Sequence, residues 1–470
     1  MSPALSPAAS RVLLINFNRY DQPYPVYPLG LAYVDAALRS AGHITRIWDA
    51  HAVGVALEAD VADFRPDFVG LSLRNIDNVQ CHNPQSFVHE LLNCCRRLRE
   101  QTTAPLILGG SGFSMFPREL LALTGVDYGI RGEGERAFVQ LLTALQARTP
   151  PDAIAGLVYR GTDGAIRSNP CRVPEPAWPN APVHELAILQ PYLVGSALPG
   201  VQTQRGCPLR CCYCTYPVIE GKRSRYRSGE EVVAEMRRLR TQNVRYTFLV
   251  DSVFNTSPEH VVEVCEALVR AELDLQWECF LRPGGLTREL LALMRRAGLR
   301  HIEFGSDSFS DPVLRRYGKG FQFAEIEAAS RYAHELDLHY SHFLIFGGPG
   351  ETPETLEETL GRARTLAGAF YFATIGMRIY PETPLWQELV PEAQDETPAD
   401  YLVEPRFYLA PGFTVESLLE RLQEVQRTAP HWMVGDPPPM FVETMRKLRR
   451  RGVRGPMWEY GELLQRLANG

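Results

Sequence analysis

The sequence predicts an α/β protein in three parts: a doubly wound parallel sheet, a partial (β/α)6 barrel, and a small, mostly helical C-terminal segment. Three observations carry that expectation. Apolar strand-like runs alternate with helical patterns from Arg11 to about Arg148. Four prolines within 174–182 then interrupt the pattern. The alternation restarts at Gly200 and passes through six further strand-like runs. The expected divisions are 1–150, a hairpin and Pro-rich linker over 151–195, the barrel over 196–400, and 401–470.

In the N-terminal part, Val12–Phe17, Ile44–Asp49, Phe68–Ser72, Pro105–Gly109 and Tyr128–Ile130 read as strands. Leu29–Ala41, Ser86–Glu100 and Glu135–Arg148 carry the helical period between them. Such a Rossmann-like sheet binds ligands past the carboxyl ends of its strands. Asn16, Asp49, Ser72, Gly109 and Gly110 fall at those ends. Glycines at 109, 110 and 112 would let a flat ligand approach the backbone closely. Ile154–Asn169 reads as a hairpin turning at Gly161–Gly164, and the prolines place a domain boundary near Ala177.

In the barrel the expected strands begin at Val201, Tyr246, Leu275, His301, Tyr340 and Thr374. Chemistry in barrels gathers at the C-terminal strand ends. Here those ends carry Asp251, Arg282, Ser306, the Gly347–Thr352 turn and Arg378. Period-two alternation puts Glu278, Phe280 and Arg282 on one face. The last segment reads as helices over Val415–Arg427 and Met440–Arg451, with His431, Trp432, Trp458 and Tyr460 expected in packing.

The first barrel strand runs into Cys207, Cys211 and Cys214, spaced C-x3-C-x2-C. Three thiolates on one short loop can hold three corners of a 4Fe-4S cluster and leave one iron open for a chelating ligand. Zinc usually takes four ligands, and no second cysteine pair follows at zinc spacing. A disulfide framework does not suit a chain of 470 residues with ten cysteines. Cys81, Cys94, Cys95, Cys171, Cys265 and Cys279 read as small buried hydrophobes.

The cysteine motif, with Tyr213 before its last member, resembles the signature of the radical S-adenosylmethionine (SAM) superfamily. That resemblance implies a 4Fe-4S cluster, SAM on the open iron, and a reducing donor such as flavodoxin or ferredoxin. It implies that Tyr213, Asp251, Arg282, Ser306 and Arg378 seat SAM, and that the Gly347 turn lies near its adenine. The N-terminal part resembles the cobalamin-binding domain that precedes many such barrels, through Tyr27–Tyr33, Ser72–Asn78, Leu108–Gly112 and Gly132–Glu135. Cobalamin is therefore a candidate cofactor, with Ser72, Gly109 and Gly110 at its site. Asp49-Ala-His51 resembles the motif that supplies an axial histidine to cobalt, but it follows the second strand rather than the first. His51 is therefore expected to be a loop residue.

Two reactions fit. Cys212, a spare thiol between cluster ligands, makes the run resemble the radical SAM enzymes of arsinothricin biosynthesis. That resemblance implies transfer of the 3-amino-3-carboxypropyl group of SAM to arsenite, with Cys212 as the catalytic soft ligand. The alternative is cobalamin-dependent methyl transfer to an unactivated carbon or phosphorus of a small molecule. A net charge of −6 gives no case for a nucleic-acid partner. No apolar run reaches a membrane span. Residues 1–10 lack a secretory pattern and read as a short lead-in, so a reducing cytoplasm is expected.

Overall fold

The computed structural model describes residues 9–461 apart from 23, 53, 173–180, 195–196, 391–396, 438 and 454. Most of the lead-in and the expected boundary near Ala177 lie outside the described residues. The first sheet contains β1 (Arg11–Asn16), β2 (Ile44–Asp49), β3 (Phe68–Ser72), β4 (Leu106–Gly109), β5 (Tyr128–Ile130), β6 (Leu157–Arg160) and β7 (Ile166–Ser168), in the order 2-1-3-4-5-6-7. The first five pair in parallel. The chain reverses direction across the sheet between β1 and β3, and such a switch opens a crevice at the carboxyl ends. Asn16 and Ser72 end those two strands. The hairpin expected to belong to the linker instead extends this sheet, because β6 pairs antiparallel with β5.

The helices of this part cover both sheet faces. Leu29–Ser40 and Gly134–Gln146 pack against one face, where Phe138 and Leu141 are buried with Val12 and Leu14. Leu57–Phe64 and Val88–Gln101 cover the other with Leu13, Val69 and Leu91. Alternate residues of β1 thus enter opposite cores, as a doubly wound sheet requires.

The second sheet begins with β8 (Gly200–Val201). Next, β9 (Gln204–Arg205) leaves the sheet to pair antiparallel with β10 (Arg225–Tyr226). Then follow β11 (Tyr246–Leu249), β12 (Gln276–Leu281), β13 (Leu299–Asp307), β14 (His339–Phe346) and β15 (Ala369–Ile375). A small antiparallel pair, β16 (Met377–Arg378) with β17 (Phe407–Tyr408), precedes β18 (Trp432–Val434). The sheet order 8-11-12-13-14-15-18 follows the chain and every pairing is parallel. Neighbours added in sequence are the topology of a barrel wall, open here between β8 and β18. The C-terminal segment is thus not only helical: it supplies the seventh strand, and Trp432 stacks on Tyr371 at 4.5 Å between centroids.

Candidate active site

The cysteine loop is fixed at both ends before any cofactor is considered. Asp251, wholly buried, accepts from Thr203 N (2.7 Å), Thr203 Oγ1 (2.7 Å) and Gln204 N (3.0 Å). Gly206 has φ +84°, and a Cβ there would lie 2.1 Å from the Arg223 carbonyl oxygen, so only glycine admits this turn. Cys207 N donates to Gly221 O at 3.0 Å. Further along, Cys212 N donates to Tyr317 O at 2.9 Å and Leu385 N donates to Cys212 O at 2.8 Å.

Cys207, Cys211 and Cys214 lie near enough to act on one another electrostatically. Burial raises Cys211, with the neighbouring Asp307 and Cys207 adding to it and Lys319 and Arg282 opposing. Burial pushes Cys214 up to about 12, with Cys211 and Cys207 beside it. Such thiols ionise when a metal binds them. Among the described residues, the only three His, Cys, Asp or Glu ligand atoms within 4.8 Å of one another belong to His301, His339 and Glu459. The cysteine sulfurs are thus spread wider than one ion gathers, which suits corners of a cluster. Lys319 Nζ pairs with Asp307 Oδ2 at 2.8 Å, and the Tyr213 hydroxyl donates to the same oxygen at 2.6 Å. Burial works against the Lys319 charge, but Asp307 and the thiols outweigh it and hold the ammonium charged. Lys319 was not anticipated. Its signal was the flanking pair Gly318 and Gly320, both at positive φ.

A cavity of about 610 Å³ joins the two parts. Asn16, Ser72, Gly109 and Gly110 line it from the first sheet, and Gln202, Arg205, Phe248, Phe280 and Glu303 from the barrel. The glycine at 110 is required by packing: its φ is +101° and a Cβ would meet Leu73 O at 2.5 Å. Arg74 enters this cavity with no carboxylate partner among the described residues, and burial lowers its pKa. His51 is not part of the lining and packs edge-on against Tyr192 at 5.5 Å. The two parts are clamped beside the cavity. Arg205 pairs with Glu133 at 3.0 Å and Glu135 at 2.7 Å, and Arg225 pairs with Glu133. Gly132–Glu135, expected to belong to a cofactor motif, therefore docks the domains.

With this geometry in view, a family model described as the Radical SAM superfamily matches residues 201–363, and a B12 binding domain matches 21–142. The chain thus carries a Radical SAM domain and, before it, a B12-binding domain. It is 27% identical over 372 residues to an uncharacterized methyltransferase of Pyrococcus horikoshii, covering 77% of this chain and 78% of the relative. It is 27% identical over 414 residues to the cytidylyl-2-hydroxyethylphosphonate methyltransferase of Streptomyces wedmorensis, covering 74% and 75%. The solved structure of the radical SAM methyltransferase TsrM from Kitasatospora setae superposes with TM-score 0.86 over 98% of each chain at 23% identity. That of the cobalamin-dependent radical enzyme OxsB gives 0.73 at 18% identity over 94% of this chain and 72% of the other.

The two domains imply an enzyme whose cofactors are a 4Fe-4S cluster and SAM in the barrel and cobalamin in the N-terminal part. The chain's own side chains correct several expectations. Arg378, expected to seat SAM, has its guanidinium committed elsewhere. Its guanidinium is buried on Asp77 Oδ2 (3.0 Å) and on the carbonyls of Ile379 (2.7 Å), Tyr401 (2.7 Å) and Arg406 (3.2 Å). Ser306 is fully buried with its hydroxyl 2.8 Å from His342 Nδ1. Asp251 spends its oxygens on the chain entering the cysteine loop. Cys212 turns into an apolar cluster with Val313, Tyr317 and Leu385, its sulfur 3.8 Å from Met377 Sδ, and burial pushes its thiol up to about 12. That sulfur is thus occupied by apolar packing and its contact with Met377. Cys171 is exposed and Cys81 half-buried, because both lie on loops outside the sheets. Arg282 alone of the expected rim keeps an uncommitted donor: Nη2 donates to Gly320 O at 3.2 Å while Nε is buried without a partner.

Proposed function

We propose that the protein is a cobalamin-dependent radical SAM methyltransferase acting on a small organic molecule. The observation that carries this reading is the single cavity running from the carboxyl ends of β1, β3 and β4 into the barrel. It lets a B12 site and a substrate site share one space. The methyltransferase names of the relatives support the reaction class.

Cys207, Cys211 and Cys214 would hold the cluster, and Ser72 and Gly109 would line the corrin site. When bound, the cluster supplies one electron to SAM from a donor such as flavodoxin or ferredoxin, and cobalamin can carry a methyl group. The chain's part is to position and exclude water. Arg282, whose Nε–H is buried without a partner, would meet the carboxylate of SAM. Lys319, Asp307 and Tyr213 supply fixed charge and hydrogen bonds beside the thiols. Phe248 and Phe280, in edge contact at 5.1 Å, keep the barrel wall of the cavity apolar.

The arsenite reading rested on a reactive Cys212, and the packing of that thiol against Met377 removes its support. The nucleoside products separate the two reactions. Reconstituted anaerobically with cluster, cobalamin and a reductant, the enzyme should release S-adenosylhomocysteine from SAM. Methylthioadenosine as the dominant product, increasing with arsenite, would overturn the methyl-transfer reading.

A further inference from the structure

Two carboxyl side chains sit inside the barrel with no cation committed to them. Glu303 of β13 lines the cavity and is 6% exposed. One of its oxygens accepts from Trp458 Nε1 at 3.2 Å, and the other has no partner among the described residues. Glu278 of β12 is wholly buried, and neither of its oxygens has a hydrogen-bond partner. It lies on the same strand face as Phe280, which lines the cavity. Arg449 acts electrostatically on Glu278, but its guanidinium donates to the carbonyls of Val453 and Gly455. Burial raises both carboxyl groups, Glu303 to about 7, and each would gain from a positive partner. Leaving buried carboxyl oxygens unsatisfied is costly, so a site holding two of them marks a missing ligand.

On the barrel side the cavity that Glu303 lines also carries Leu198, Phe248, Val250 and Phe280, with Tyr24 and Arg74 facing it from the first part. Phe343 packs edge-on against Phe280, 6.0 Å between centroids. Glu303 lies four residues before Asp307, which is ~13 Å along the strand from the cysteine end at ~3.3 Å per residue. That separation leaves room for a substrate body between an anchor at the floor and the reacting groups above.

We infer that Glu303, backed by Glu278, binds a protonated amine of the methyl acceptor, so that the acceptor class is a small aromatic or apolar amine. An ammonium there would satisfy the open Glu303 oxygen, and the aromatic wall would hold both its charge and its apolar body. The inference rests on the cavity being the acceptor site.

The test is calorimetric titration of the anaerobically reconstituted full-length protein, without SAM, using 2-phenylethylamine and its neutral N-acetyl derivative. The expected result is saturable binding of the amine and none of the amide. Glu303→Gln, which keeps the bond from Trp458, should weaken the amine by at least about thirtyfold, as for loss of one partner of a desolvated charge pair. No binding of the amine, equal binding of both compounds, or amine affinity unchanged in Glu303→Gln would each overturn the inference. The amine-against-amide comparison on the wild-type protein stands even if the variant folds poorly. Because SAM is absent, these results are independent of the nucleoside products that test the methyl-transfer reading.

Discussion

Replacing Arg378 with methionine should unfold the protein at lower temperature while leaving SAM affinity intact. The side chains of Arg378 and Asp77 are 2% and 1% exposed, and the guanidinium makes four bonds that tie the loop after β3 to the C-terminal segments. In Arg378→Met the Asp77 carboxylate keeps only the bond from Val79 N, at 2.9 Å. Breaking a buried pair from one side costs roughly 3–5 kcal/mol, chiefly because the remaining charge is stranded. At roughly 2–4 °C per kcal/mol for a domain of this size, the midpoint should fall by about 6–20 °C. Thermal melting followed by circular dichroism reads this directly. The double variant Arg378→Met/Asp77→Asn should recover part of the loss, since it removes the stranded charge. A midpoint within about 2 °C of wild type, together with weaker SAM binding, would refute the structural role and return Arg378 to the SAM site.

Other outcomes follow from the same geometry. Alanine at Cys207, Cys211 or Cys214 should lower iron and sulfide content after reconstitution, whereas Cys212→Ser should keep the cluster and destabilise the fold by roughly 1–3 kcal/mol through a buried hydroxyl. Gly206→Ala should also lose iron, because its Cβ would collide with the Arg223 carbonyl at 2.1 Å; full iron loading would show that the turn adapts. Burial raises the folded-state pKa of Asp251 to about 7, so the folded state binds more protons there than the unfolded state between about pH 4 and 7. Its contribution therefore falls as pH rises through that window, and Asp251→Asn should flatten this part of the stability profile in denaturant titrations. Arg282→Gln should weaken SAM binding in equilibrium dialysis with the cluster intact.

The strands and most helices were legible because their apolar periods are local. β1, β2, β3 and β5 fall within a residue of the pattern. The sixth barrel strand was placed late, at Thr374, because Ala369–Ile375 is a continuous apolar and aromatic run without a period of its own. β18 was missed because three residues after a helix carry no signal, and only pairing with β15 makes them a strand. The rim residues failed differently. Asp251, Ser306 and Arg378 do stand at or near strand ends, but their polar atoms are spent on Thr203, His342 and Asp77, partners that sequence order does not reveal.

The sequence by itself determined the cluster motif and the succession of a doubly wound sheet and a barrel. Each depends on neighbours along the chain, whose spacing is fixed by covalent geometry. Only the tertiary structure decided which polar groups remain free for chemistry. Whether Arg282 keeps a donor, Cys212 faces Met377 or Glu303 faces a cavity depends on segments far apart in sequence, and burial makes those distant partners decisive.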